Sequence, residues 1–157
     1  MLTSKRTLTF PNLLNVRDLG GCATPTGERT LWRSLLRADD LEQLTPEGVK
    51  AMLDYGVRTV IDLRWPAEAE AHPSIFQVDP GDVHYLHISL LGASEAEWRS
   101  LRPQTTKKMW NCMVLDYAQK DICEVMSTIA HAPDGGLLFH CVAGKDLKPL
   151  HTLKSAV

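Results

Sequence analysis

Residues 136 to 140 form a short run, apolar up to its last position, that delivers Cys141 into a loop containing Gly144 and Lys145. A run this short, preceded by Pro133-Asp134-Gly135, reads as a buried β-strand that follows a turn. A strand that ends on a cysteine followed by small residues presents its thiol to a nest of backbone N–H groups. If a helix opens next, its positive end attracts an anion and favours the thiolate. Such a chain is restricted to a layered α/β domain, in which ligands sit at the carboxyl ends of the strands.

The rest of the chain supplies the partners of that strand. Thr45-Pro46-Glu47 offers an N-cap, a first-turn proline and an acidic residue; Val49, Met52 and Leu53 form an apolar face, and Gly56 is the stop. Val57 to Leu63 is short and rich in β-branched residues, so it reads as a second buried strand with Asp62, Leu63 and Arg64 at its carboxyl end. Tyr85 to Leu90 reads as another strand, with Leu86, Ile88 and Leu90 on one face. One long helix is expected over 109–131, where Ala118, Ile122, Val125 and Ile129 recur at helical spacing. The expected fold is α/β, a sheet flanked by helices in a single domain over residues 1–157. The Asp62-Leu63-Arg64 step and the loop from Cys141 to Asp146 then meet at one site.

Charge and cysteine usage exclude several function classes. The chain has 17 basic and 19 acidic side chains among 157 residues, so no surface for nucleic acid is advertised. No apolar run approaches the roughly 18 residues that argue a membrane span, and Met1 to Phe10 lacks the apolar stretch of a secretory signal. Cys22, Cys112, Cys123 and Cys141 show no C-x-x-C spacing, so zinc and redox-pair readings are weak and a reducing cytoplasm is the expected location. His84 and His87, three apart on a strand, point to opposite faces and do not form a metal pair. A Walker A loop is excluded, because Phe139 stands where a glycine is required and Asp146 where a hydroxyl is required.

Four segments carry a resemblance. They are Asn15-Val16-Arg17-Asp18-Leu19-Gly20-Gly21, Arg37-Ala38-Asp39, Asp62-Leu63-Arg64 with Glu68, and His140-Cys141-Val142-Ala143-Gly144-Lys145-Asp146. In this order they resemble the motifs of the tyrosine-phosphatase-like family found mostly in bacteria and fungi. The resemblance implies a protein-tyrosine-phosphatase-like, three-layer fold of the phosphotyrosine phosphatase II type. It also implies hydrolysis of a phosphomonoester through a phosphocysteine on Cys141, with no metal or other cofactor. The implied substrates are phosphorylated proteins or phosphoinositides. Val142, Ala143, Gly144 and Lys145 would hold the phosphate, Gly144 because it lacks a Cβ and Lys145 as a point charge. Asp62 and Asp146 are both candidates for the general acid, with a lean to Asp62. The other role for Asp62 is an ion pair with Arg64 or Arg17. His140, Arg64 and Arg17 would support the loop, and Arg17 with Asp18 reads as a buttressing pair.

One position departs from the family. Six residues after the cysteine, where an arginine would clamp two phosphate oxygens, stands Leu147, followed by Lys148 and Pro149. Leucine cannot reproduce a planar guanidinium fork, so the chain as written is expected to be inactive or nearly so. The match also stops abruptly at Asp146, which points to a frameshift or alternative 3′ end and to missing C-terminal helices. Strands over 57–63 and 136–140 are then expected to keep an uncovered apolar face and to lower solubility. Two rival readings stand beside this one, a phosphate-binding pseudophosphatase and a rhodanese-like sulfurtransferase. The segments at 15–21 and 62–68 favour the phosphatase. No residue pattern specifies an oligomeric state.

Overall fold

The computed structural model describes residues 6–90, 100 and 106–142. Among these residues five strands form one sheet: β1 (Arg17–Asp18), β2 (Leu35–Ala38), β3 (Val57–Asp62), β4 (His84–His87) and β5 (Gly136–His140). Their order is β1-β2-β5-β3-β4, with β1 antiparallel to β2 and the other pairings parallel. The cysteine-bearing strand β5 is therefore the middle strand, flanked by β2 and β3. This mixed sheet flanked by helices is the α/β architecture expected from the sequence.

Local signals account for the first helix. In α1 (Pro46–Tyr55), the Thr45 side chain accepts a hydrogen bond from the Gly48 N–H, and Gly56 closes the helix at φ 110°, a left-handed conformation that glycine adopts without a Cβ penalty. Two short helices follow β3: α2 (Pro66–Ala71) and α3 (Ile75–Val78). At the start of α2 the Glu68 carboxylate accepts from the Trp65 N–H at 3.2 Å, which gives the glutamate of the Asp62-Leu63-Arg64 motif a capping role.

The single helix expected over 109–131 is two helices, α4 (Lys107–Tyr117) and α5 (Gln119–Ala130), separated at Ala118. The apolar stripe survives the break: Ala118, Ile122 and Val125 are buried together, and Ile129 packs against the same cluster. The strand expected over Tyr85 to Leu90 is shorter and earlier, His84–His87. Ile88 and Leu90 still share one core cluster, with Leu86 packed against it, because the alternation continues after the ladder ends.

Both faces of the sheet are covered. Ile61, Leu137 and Phe139 pack with Val114, Ala118, Ile122 and Val125 of α4 and α5. On the other face Val60, Leu138, Leu36 and Ala38 pack with Met52 of α1 and Phe76 of α3. Every residue of β5 is buried. The expectation of uncovered apolar faces on β3 and β5 is thus corrected: α4 and α5 close one side, and α1 with α3 closes the other. Among the described residues no helix is long and apolar enough to cross a membrane.

Candidate active site

The register of the sheet brings the motifs together. Ala38 pairs with His140, His140 with Asp62, and Asp62 with His87, so four strands present one row at their carboxyl ends. The Leu63 N–H donates to the His140 carbonyl at 2.9 Å, extending the ladder by one step. Cys141 follows directly, half-buried, and Val142 is exposed. Ala143, Gly144, Lys145 and Asp146, and Leu147 to Pro149, lie outside the described residues.

Asp62 is the anchor of the row. Its carboxylate is fully buried and gripped by the Arg64 guanidinium: Nε reaches both oxygens at 3.0 Å and one terminal nitrogen reaches Oδ2 at 2.6 Å. The Arg64 N–H adds a bond at 3.0 Å, and the Tyr85 hydroxyl donates to Oδ2 at 3.0 Å. Burial alone would raise the pKa of Asp62, but the hydrogen bonds and charge of Arg64 outweigh it and hold it below the ordinary value. Of the two roles considered for Asp62, the geometry shows the ion pair with Arg64.

Arg64 in turn is fully enclosed. Its second terminal nitrogen donates to Asp40 at 3.0 and 3.2 Å and to the His72 carbonyl at 2.7 Å. Burial opposes the charged form, yet Asp62 and Asp40 together push its pKa above the ordinary value. His87 Nε2 lies 3.0 Å from the Arg64 carbonyl, which only accepts, so that nitrogen carries a proton. The backbone and side chain of Arg64 are thereby fixed from β2, β3 and β4 at once.

His140 precedes the cysteine and is fully buried, with Nε2 3.6 Å from Asp62 Oδ2. Neither ring nitrogen makes a hydrogen bond among the described residues. Burial lowers its pKa to about 4 against the pull of Asp62, so the ring is neutral at physiological pH. It stands directly before Cys141 as a buried, uncharged side chain.

The segment from Asn15 to Gly21 folds for a different reason. Asp18 is fully buried and accepts from the Gly20 N–H at 2.7 Å, the Arg33 N–H at 2.9 Å and the Tyr55 hydroxyl at 2.6 Å. A Cβ on Gly20 would stand 2.6 Å from the Trp32 Cα, so only glycine fits there. The expected Arg17–Asp18 pair is corrected on this geometry. Successive strand residues point to opposite faces, and Arg17 is exposed on the side away from Asp18.

Sequence reasoning missed Asp40, Tyr85, Tyr55 and Arg33 as parts of these two networks. Asp40 and Tyr85 lie 24 and 23 residues from their partners; the available signal for Asp40 was its position just past the carboxyl end of β2, and Tyr85 carried none. His84 and His87 are both exposed, and no cluster of metal-ligating side chains occurs among the described residues.

The sequence model of the tyrosine phosphatase family matches residues 8–147, which spans all four motifs and the whole sheet, and the chain belongs to that family. It is 31% identical over 115 residues to a tyrosine-protein phosphatase of Nostoc commune, covering 72% of this chain and 39% of that protein. It is 29% identical over 146 residues to a protein of Cupriavidus necator named provisionally as a tyrosine-protein phosphatase, covering 88% of this chain and 52% of that protein. The chain therefore spans about half the length, or less, of the curated relatives it matches.

Proposed function

We propose that this chain carries the nucleophile-bearing part of a cysteine-dependent phosphomonoester hydrolase acting on phosphorylated proteins or phosphoinositides. The observation that supports it most is the position of Cys141 at the carboxyl end of the middle parallel strand, one residue beyond the row formed by Ala38, His140, Asp62 and His87. In the reaction the Cys141 thiolate attacks phosphorus, the ester P–O bond breaks, and the leaving oxygen takes a proton from a general acid. Water then attacks the phosphocysteine and releases inorganic phosphate, returning the thiolate. Backbone N–H groups of Val142, Ala143, Gly144 and Lys145 hold the phosphate oxygens in this scheme.

The general acid in this reading is Asp146. Asp62 is held ionised by Arg64 and enclosed by Tyr85, so its role is to position the strand ends rather than to deliver a proton. Leu147 suppresses turnover, because the loop lacks the guanidinium that would neutralise charge on the transferring phosphoryl group. Restoring it tests the reading: Leu147→Arg is expected to raise kcat/KM on p-nitrophenyl phosphate by on the order of 10³. That gain should vanish in Leu147→Arg with Cys141→Ser. A folded Leu147→Arg variant with no gain, or a gain indifferent to Cys141→Ser, overturns it. Leu147 also favours a second reading, phosphate binding without turnover, for which tungstate would protect Cys141 from alkylation while hydrolysis stays absent.

A further inference from the structure

The side of the sheet opposite Asp62 carries a second set of charges. Arg17 and Arg37 are direct Cα partners across the antiparallel β1–β2 pair, so both side chains leave the same face. Like charges set opposite each other in a ladder repel, and such a pair is retained at a cost in stability. Arg37 is also the partner of Phe139 in the parallel β2–β5 pairing. Phe139 belongs to the core cluster under α4 and α5, and Leu35, two residues before Arg37, packs on the same cluster. The face is thus fixed independently on both strands. Cys141 stands two residues beyond Phe139, and the alternation of β5 carried one step past His140 assigns it to that face. Asp62 and His140 follow the alternation of Val60 and Leu138 to the other face.

Arg37 is half-buried. Burial and the neighbouring Arg17 both disfavour its charge, while Cys141 favours it, in keeping with the shared face. Among the described residues, Arg37 from β2 and, one strand farther, Arg17 from β1 lie on the face that carries Phe139. Asp62, Arg64, Asp40 and His140 gather on the reverse side, where the two carboxylates are already bound to Arg64.

We propose that Arg37, with Arg17 as a second charge on the same face, is a cation that the sheet supplies to Cys141, stabilising its thiolate and contacting a tetrahedral oxyanion seated on the loop. This rests on the phosphatase reading for the oxyanion and on the sheet geometry alone for the thiolate. It assigns a guanidinium to the site from β2, separate from the loop position occupied by Leu147. The substrate group it recognises is the doubly charged phosphoryl oxygen pair, for which a planar guanidinium is suited.

The test is alkylation of the intact chain by iodoacetamide, read at each cysteine by mass spectrometry, with the exposed Cys112 and Cys123 as internal references. Arg37→Ala is expected to slow alkylation of Cys141 about tenfold near pH 6.5 relative to Cys112, with the difference vanishing at strongly alkaline pH, where every thiol is ionised. Arg37→Lys should retain most of the rate, because it keeps the charge. It should still need about tenfold more tungstate for protection, because it loses the fork. Arg17→Ala should slow Cys141 less, about two- to threefold, through loss of a more distant positive charge on the same face. If Arg37→Ala fails a circular-dichroism check of folding, Arg37→Gln replaces it. Equal Cys141 rates in wild type and the folded Arg37 variants overturn the proposal whatever tungstate does. Absence of tungstate protection in the wild type, with the Arg37 dependence of alkylation intact, upholds the thiolate pairing and counts against the phosphatase reading alone.

Discussion

Asp18 and Asp62 are both fully buried carboxylates at the ends of strands, and they are held in opposite ways. Asp62 faces a full positive charge, with three guanidinium contacts, and Asp40 is a second carboxylate on the same Arg64. Among the described residues, Asp18 is bound by dipoles: two backbone N–H groups and the Tyr55 hydroxyl. The first arrangement joins three parallel strands where the motif row lies. The second joins the β1 turn, the entry to β2 and the end of α1, and fixes Arg33 at φ 64° with its guanidinium 5.0 Å over the Tyr55 ring. Charge against charge is used where strand ends must be locked to one another. Charge against dipoles is used where the path of the chain must be held.

The largest effect should come from breaking the charge pair on one side only. Arg64→Met leaves Asp62 buried with its main partner gone, and is expected to cost about 3–5 kcal/mol in urea unfolding. Adding Asp62→Asn to that variant should recover a substantial part, because the pair costs desolvation of both ions. A double variant no more stable than Arg64→Met would show that Arg64 acts through Asp40 and the His72 carbonyl rather than through Asp62.

The same comparison explains how much of the molecule was legible in the sequence. Elements whose boundaries are set locally were read well: Thr45, Pro46 and Gly56 fix α1 by capping chemistry, and the short apolar run fixes β5. The break at Ala118 was not legible, since alanine is the best helix former and the Ala118-Ile122-Val125 stripe runs through it. Asp62 and Arg64 are two residues apart, so their pairing was visible as one of two roles. The dipole cage of Asp18 was not, because Arg33 and Tyr55 lie 15 and 37 residues away and reach it only through tertiary folding. Long-range polar partners carry no periodic signal, whereas core faces and caps do.

Acid should separate the two nodes next. His140, beside Asp62, has its folded pKa lowered from 6.5 to about 4, so the native state keeps it neutral while the unfolded state takes up a proton below 6.5. Its contribution is fully present above pH 6.5 and is lost as pH falls towards 4, by about 3 kcal/mol in all. Asp62, with its pKa lowered, adds a further loss as pH falls below the unfolded carboxylate value and through the folded one. Urea midpoints measured at steps between pH 7.5 and 4 should therefore fall, and His140→Gln should flatten that slope. A slope unchanged by His140→Gln would assign the acid loss to other groups.

The smallest effect tests the dipole cage from the alkaline side. Burial and the hydrogen bond to Asp18 raise the Tyr55 pKa from 10 to about 12. A phenol so raised stabilises the fold below its unfolded value and loses that contribution as pH rises from 10 towards 12, the reverse of His140. Tyr85, on Asp62, is raised as well, so an alkaline loss in the wild type belongs to both nodes. Only the difference between wild type and Tyr55→Phe isolates Asp18. At neutral pH that variant removes one of three donors to a buried carboxylate and should cost about 1–2 kcal/mol, well short of Arg64→Met. Between pH 10 and 12 its penalty should shrink, because the wild type is then losing the bond the variant never had. No penalty at neutral pH would mean that Tyr55 serves this node by packing against Phe10, its edge-on neighbour at 5.9 Å, and not through its hydroxyl.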